Sequence, residues 1–154
     1  MFNITQFREF IVLPTLGDLQ IHTKELEELL IFTCATESQG GTYVHQIQGP
    51  ALGIYQMQPA TYSDLWSAYI IRKPDIVNLL ALNFGVSRVP HPSLLVTDLR
   101  LATAICALYY KWKNARPAST STEDLWAVYK PLYNTEKGKA EKDASIKLYN
   151  KFIK

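Results

Sequence analysis

The carboxylate of Glu37 has the position in this chain that best suits acid–base chemistry. It lies three, seven and eleven residues after Cys34, Leu30 and Leu26, which puts all four side chains on one helical face and Glu37 at the C-terminal end of an apolar stripe. Partial burial and the negative end of the helix dipole would both raise its pKa. A carboxylic acid that stays protonated near neutral pH suits general-acid cleavage of a glycosidic bond. Taken alone, the residue favours the alternative that the helix simply ends here in water, because most carboxylates are unperturbed.

Two later segments add polar groups that suit sugar binding. Residues 49–61 contain Gly53, which permits close approach of a backbone, and Gln56, whose amide can both donate and accept hydrogen bonds. Much later, Tyr133 and Asn134 place a phenol and an amide at a predicted helix end. Together with Glu37, these residues indicate a ligand groove.

Aromatic residues divide into groove candidates and core candidates. Tyr43 and Tyr55 lie in the loop region after Glu37, where their rings could stack on sugars. Trp66, Tyr109 and Trp112 recur at helical spacing, and such residues usually build a core.

The elements that must position these residues are predicted to be helices. A short first helix should stop at Pro14, because proline breaks a helix interior. Its apolar residues are Phe7, Phe10, Ile11 and Leu13. A second helix should begin after the N-cap residue Thr23 and end near Glu37. The glycine-rich residues 38–53 form a long loop, and residues 42–55 hold at most a small hairpin.

The rest of the chain also shows helical periodicity. Pro59 and Pro74 each mark a helix start, and residues 101–112 form the strongest helix. Thr120 and Glu123 match a capping box for the next helix. Pro131 should kink or shorten that helix, and residues 146–152 suggest a last one. The sequence therefore predicts a mainly α fold, with residues 1–154 forming a single domain.

Composition excludes several classes of protein. A chain that is 47% hydrophobic and 19% charged has enough apolar surface to bury a core, so it is not intrinsically disordered. A net charge of +2 is too small to indicate a nucleic-acid partner. The most apolar stretches, residues 29–35 and 101–110, are shorter than the roughly 20 residues that span a bilayer, so we expect no integral membrane segment.

Metal and cofactor chemistry has no support in the sequence. His22, His45 and His91 are scattered without paired spacing, and Cys34 and Cys106 make no zinc motif. Both cysteines lie in apolar helical patterns and are predicted to be reduced core residues. We expect neither a metal nor a cofactor.

Three ordered motifs resemble the lysozyme-like superfamily, specifically lytic transglycosylases and the phage-encoded members near them. The motifs are Glu37 with Ser38, the Gly-Ile-Tyr-Gln-Met run at residues 53–57, and Tyr133 with Asn134. The family commonly has Leu and then a small residue or Met where this chain has Ile and Tyr. The pattern covers residues 36–135, which is most of the chain.

The resemblance implies a lysozyme-like fold and cleavage of the MurNAc–GlcNAc β-1,4 bond in peptidoglycan glycan strands. Glu37 would be the sole catalytic acid/base, and Tyr133 would hydrogen-bond and position its carboxyl group. The substrate-binding residues implied are Ser38, Tyr55, Gln56, Met57, Tyr133 and Asn134.

The number of carboxylates bears on the type of cleavage. No Asp or Glu occurs between Ser38 and Ser63, whereas a hydrolase needs a second carboxylate roughly 5 to 9.5 Å from the first. The sequence therefore favours a lytic transglycosylase, which gives 1,6-anhydro-MurNAc ends. A hydrolytic lysozyme, with Asp64 as the nearest second carboxylate, remains an alternative. A virion protein of the same fold that binds glycan without cleaving it is another.

The N-terminal residues show no export signal, because Arg8 and Glu9 precede the apolar run and Pro14 interrupts it. We therefore expect a phage-encoded protein made in the host cytoplasm. It would act on the cell wall during lysis or be carried in the virion. Access to the wall would require a holin or the virion itself.

Overall fold

Helices joined by loops build the molecule, and the computed structural model describes all of residues 1–154. The helices are α1 (Ile4–Phe7), α2 (Leu13–Asp18), α3 (Lys24–Ser38), α4 (Pro59–Ala68), α5 (Pro74–Phe84), α6 (Leu94–Thr97), α7 (Leu99–Trp112), α8 (Thr122–Tyr129) and α9 (Lys142–Phe152). A 3₁₀ turn covers Ile70–Arg72, and π-helical turns cover Arg8–Val12 and Lys130–Asn134. Isolated antiparallel bridges join His45 with Leu52 and Leu52 with Met57. The predictions of a mainly α fold and of at most a small hairpin are confirmed.

Most helix starts agree with the sequence. The Thr23 hydroxyl accepts a hydrogen bond from the Leu26 N–H at 3.0 Å and caps α3 as predicted. Helices α4 and α5 begin at their prolines. The capping box predicted for α8 is wrong. Its N-cap residue is Ser121, one residue later than expected, and the Ser121 hydroxyl accepts from the Asp124 N–H at 3.2 Å.

Pro14 does not end the first helical segment, contrary to the prediction. In the π turn before it, the N–H of Leu13 donates to the carbonyl of Arg8, five residues back. This pairing places Pro14 at the second position of α2, where a helix needs no N–H donor. The extra residue also rotates the following side chains, so Phe10 is 61% exposed although it was expected on the apolar face.

Helix α3 lies at the centre of the molecule and packs against α7, α8, α9 and the N-terminal π turn. Its side chains from Leu29 to Ala35 are buried all round the helix, not along one stripe. One core cluster of 33 buried residues reaches from Phe7 to Phe152 and includes Trp66. Trp112 packs against it and is only partly buried.

The structure tests the predictions about the cysteines and about a membrane-spanning segment. Cys34 and Cys106 are both buried and unpaired, as expected. None of the helices has both the length and the apolar composition that a bilayer-spanning segment needs.

A buried charge cluster joins the N-terminal segment and α9 to α3. Arg8 donates to the carboxylates of both Glu27 and Glu28, and the Tyr149 hydroxyl donates to Glu28 at 2.8 Å. The two glutamates, which lie in the first turns of α3, are buried and paired across elements.

Candidate active site

Glu37 lies in the last turn of α3 and is partly buried. The helix ends immediately afterwards, because Gln39 adopts the left-handed conformation (φ 52°). Burial raises the pKa of the Glu37 carboxyl from 4.5 to about 7, and a hydrogen bond from Tyr129 opposes this rise. The expectation of a partly buried carboxyl group with a raised pKa is therefore confirmed.

The hydroxyl that contacts Glu37 belongs to Tyr129, not to Tyr133. Tyr129, the last residue of α8, donates to Glu37 Oε1 at 2.5 Å. Tyr133 donates instead to the backbone carbonyl of Tyr55 at 2.5 Å. The two rings stack with their centroids 6.1 Å apart, but Tyr129 ends α8 and Tyr133 lies in the π turn that follows, and their hydroxyls reach different partners.

A cleft of about 420 Å³ opens beside Glu37, and we call it the first cleft. Its lining is mainly amides and hydroxyls, and Glu37 is its only carboxylate. The polar residues include Gln46, Gln56, Gln58, Thr61, Asn134 and Thr135. Met57, Tyr109 and Tyr133 add apolar surface, and Lys139 is the only cation. Such a mixture suits a polyhydroxylated ligand, since sugars present both hydroxyl groups and apolar ring faces.

Four predicted binding residues line the first cleft: Gln56, Met57, Tyr133 and Asn134. Ser38 does not. It is fully buried, and its hydroxyl donates to the Cys34 carbonyl and accepts from the Gly41 N–H, both at 3.0 Å. Ser38 therefore closes the turn after Glu37 and has no contact with a ligand space.

The two tyrosines predicted to stack on sugars also lie elsewhere. Tyr55 is buried, and its hydroxyl pairs with that of Thr103 at 3.1 Å. Tyr43 is 37% exposed but does not line the cleft. Tyr109, which was assigned to the core, is buried as expected and also contributes to the cleft wall.

A tight hairpin holds Gln56 and Met57 at the cleft. Leu52 and Met57 exchange backbone hydrogen bonds of 2.8 and 3.0 Å, and Gln56 Nε2 donates to the Gly53 carbonyl at 2.9 Å. The side-chain oxygen of Gln56 has no partner within the protein and is free to accept from a ligand. Gly53 has φ +76°, and a Cβ there would lie 2.2 Å from the carbonyl oxygen of Leu95, so only glycine fits.

The opposite wall of the cleft is organised by Lys130. Its ammonium group donates to Asn134 Oδ1 at 2.6 Å and to the carbonyls of Gly138 and Ala140 at 3.0 and 3.1 Å. These bonds fold residues 135–140 back over the end of α8 and bring Lys139 to the cleft. They also occupy the oxygen of Asn134.

The sequence carries a signal for some of the cleft residues that were not predicted and none for others. Tyr129 and Tyr133 are four residues apart, so helical periodicity puts both on one face and gives no reason to choose between the two phenols. Gln46, Gln58, Thr61 and Lys139 come from loops or a helix start, where periodicity gives no signal.

Asp64, the alternative second carboxylate, is exposed on α4 and does not line the cleft. No three His, Cys, Asp or Glu side chains are grouped in a way that could hold a metal ion. The first cleft therefore offers a single carboxylate.

Comparisons with protein-family models, with curated proteins and with solved structures find no match to this chain. The likeness to lytic transglycosylases accordingly rests on the three sequence motifs.

Proposed function

We propose that this protein is a peptidoglycan-cleaving glycosidase in which Glu37 is the general acid and base, and that it acts as a lytic transglycosylase. One observation carries the proposal. The sole carboxylate of a polar cleft is partly buried, has a pKa raised to about 7, and receives a hydrogen bond from a buried phenol. A group that changes charge near neutral pH can give up and take back a proton efficiently.

The reaction uses this carboxyl group twice. Protonated Glu37 donates its proton to the glycosidic oxygen while the bond from that oxygen to C1 of MurNAc breaks. The resulting carboxylate then takes the proton from the C6 hydroxyl of the same sugar as the C6 oxygen bonds to C1. Glu37 ends protonated, and the products are a free 4-hydroxyl group and a 1,6-anhydro end.

Tyr129 and the cleft wall support these steps in different ways. The Tyr129 hydroxyl donates to the carboxylate formed after the first proton transfer and stabilises it. The side-chain oxygen of Gln56 can accept a hydrogen bond from the sugar, and the Asn134 side chain lines the cleft beside it. Because the attacking hydroxyl belongs to the substrate, fixing the sugar also fixes the nucleophile.

The single carboxylate of the first cleft supports transglycosylation over hydrolysis. An inverting or retaining hydrolase needs a second carboxylate on the far side of the sugar. Asp64 faces solvent on α4, and Glu141, the exposed N-cap residue of α9, lies outside the first cleft. The phage setting, in lysis or in the virion, remains part of the proposal and rests on the motif resemblance.

The decisive experiment is mass spectrometry of the soluble products that the protein releases from purified sacculi. We expect muropeptides that are one water lighter than hydrolysis products and end in 1,6-anhydro-MurNAc. Glu37→Gln should lower the rate by about a hundredfold or more. Glu136→Gln, which removes an exposed carboxylate outside the cleft, should match the wild type.

Other products would change the conclusion in defined ways. Reducing ends would establish a hydrolase. No product from folded wild-type protein, together with co-sedimentation with sacculi, would establish a glycan-binding protein instead.

A further inference from the structure

Lys139 is the only cation that lines the first cleft, and no acidic side chain of the protein neutralises it. It takes part in none of the ion pairs of the molecule. Glu37, the only carboxylate of this cleft, must be protonated before it can act as the acid. When the site is ready to react, Lys139 therefore carries the only charge among the residues that line the first cleft.

The backbone of Lys139 is fixed from both sides. The carbonyls of its neighbours, Gly138 and Ala140, both accept from the Lys130 ammonium group, at 3.0 and 3.1 Å. Gly138 also lies so close to Asn134 that a Cβ there would be 2.4 Å from the Asn134 carbonyl oxygen. The loop therefore holds Lys139 beside the cleft although its side chain is exposed, and only that side chain has to be ordered when a ligand binds.

A second cleft, of about 370 Å³, lies on the other side of Glu37 and is also bordered by Lys139. Its lining contains a carboxylate that the first cleft lacks, that of Glu141. The other residues that line it include Thr36, Tyr129, Ser145 and Leu148. A ligand anion in the second cleft would be repelled by Glu141, whereas the carboxyl group of the first cleft is neutral when it acts as the acid. An anionic group beside Lys139 is therefore favoured on the side of the first cleft.

We propose that Lys139 is a specificity-determining residue, which binds a carboxylate carried by the C3 substituent of the MurNAc unit whose bond is cleaved. The inference rests on the proposed function, because that function assigns the scissile bond to Glu37. MurNAc differs from GlcNAc by a lactyl ether at C3. This ether either ends in a free carboxylate or carries a peptide stem that has carboxylates of its own. GlcNAc is neutral and offers the ammonium group no partner, so Lys139 selects MurNAc in the first cleft and brings the bond at its C1 to Glu37.

Three forms of glycan strand separate the sources of the carboxylate. Strands with peptide stems carry the stem carboxylates, and amidase-treated strands carry the free lactyl carboxylate. Amidase-treated strands that are then coupled to methylamine carry no charge at this position. For the wild type, we expect kcat/KM on the uncharged strands to be about fivefold lower than on at least one charged form, which is the upper range for a solvent-exposed ion pair.

Substitution of Lys139 tests whether this residue causes the preference. Lys139→Met should reduce the ratio of kcat/KM on charged to uncharged strands to about one, and Lys139→Arg should keep the wild-type ratio. The charged form that loses its advantage in Lys139→Met identifies the source, stem or lactyl group. The matched control is Lys137→Met, an exposed lysine of the same loop that lines neither cleft, and it should also keep the wild-type ratio. Circular dichroism shows whether each variant is folded.

The results separate this inference from the function beneath it. A wild type without preference for charged strands, or a wild-type ratio in folded Lys139→Met, would overturn the role of Lys139 while anhydro products still supported the enzyme. An unchanged rate for Glu37→Gln would overturn the proposed function itself.

Discussion

The hydroxyl of Tyr129 acts on Glu37 against the effect of burial. Burial favours the neutral carboxylic acid and raises its pKa, whereas a donated hydrogen bond favours the carboxylate and lowers it. The resulting pKa of about 7 lies where both protonation states are populated. At the residue scale, the site therefore depends on a balance between two neighbouring influences on one group.

Removing that hydroxyl should move the pH dependence in a known direction. Tyr129→Phe deletes the bond that lowers the Glu37 pKa, so the pKa should rise. The general acid must be protonated, so activity falls as pH increases through this pKa. The alkaline limb of the kcat/KM profile should accordingly shift to higher pH, with a loss of rate of about tenfold from poorer positioning.

The matched control is Tyr133→Phe, which deletes a phenol in the same cleft that bonds to the Tyr55 carbonyl and not to Glu37. Its alkaline limb should stay in place even if its rate changes. An unmoved or lowered limb in Tyr129→Phe would contradict the assigned contact.

The residue scale also shows what sequence could and could not predict. Glu37 was found because helical spacing places it after an apolar stripe, and that spacing survives folding. Tyr133 was expected to contact Glu37, but the hydroxyls of the two stacked phenols reach different partners, which the residue pattern does not show. Ser38 and Tyr55 fit a motif, yet both are buried by contacts with Cys34 and Thr103 that no local pattern contains.

At the scale of elements, Lys130 connects the end of α8 to the loop of residues 135–140. Its three hydrogen bonds hold one wall of the first cleft, and its side chain lines neither cleft. Burial and Tyr129 account for the pKa of Glu37 without a contribution from Lys130. Lys130 is therefore a positioning residue.

Replacing Lys130 should weaken glycan binding more than it slows the chemical step. Lys130→Met removes all three bonds and releases the loop, so KM for a soluble glycan should rise about tenfold while the alkaline limb of the pH profile stays in place. Lys137→Met, an exposed lysine of the same loop, serves as the control and should leave KM unchanged. A drop in kcat with unchanged KM would argue against a positioning role.

Element boundaries were predictable where local chemistry sets them. Thr23, Pro59 and Pro74 start helices because capping and proline geometry act within a few residues. The helix across Pro14 was missed because the hydrogen-bond shift that accommodates it leaves no mark in the sequence. At α8, three hydroxyl residues in succession, Ser119 to Ser121, offered several caps, and Ser119 bonds the Asp124 carboxylate instead.

At the scale of the whole molecule, the raised pKa of Glu37 lowers the free energy of unfolding near neutral pH. Glu37 keeps its proton up to about pH 7 in the folded state, whereas an ordinary glutamate ionises near 4.5. Between these values the unfolded chain loses a proton that the folded chain retains. The folded state is therefore progressively destabilised as pH rises through this interval.

Glu37→Gln should remove this destabilisation of the folded state. The amide stays neutral and can still accept the Tyr129 hydrogen bond, so the variant should equal the wild type below pH 4.5. It should become more stable by up to about 3 kcal/mol above pH 7. Urea denaturation at several pH values measures the difference, with Glu136→Gln as the control. A constant difference across pH would mean that the Glu37 pKa is not raised.

The mainly α fold followed from periodicity, but the central position of α3 did not. Its pattern suggested one apolar face, whereas α7, α8 and α9 cover several sides of it. Enclosure of a helix depends on how distant elements meet. The pairing of Glu27 and Glu28 with Arg8 and Tyr149 is of the same kind, since it joins residues separated by up to 121 positions.

Each of the two π turns combines an extra residue with a neighbouring proline. Each contains one residue more than an α-helical turn, and each accompanies a proline, Pro14 or Pro131. Loss of one residue from the turn at residues 8–12 would restore α-helical pairing and put Pro14 where a helix needs an N–H donor. During evolution, a single-residue deletion at residues 8–12 would therefore be tolerated only together with replacement of Pro14.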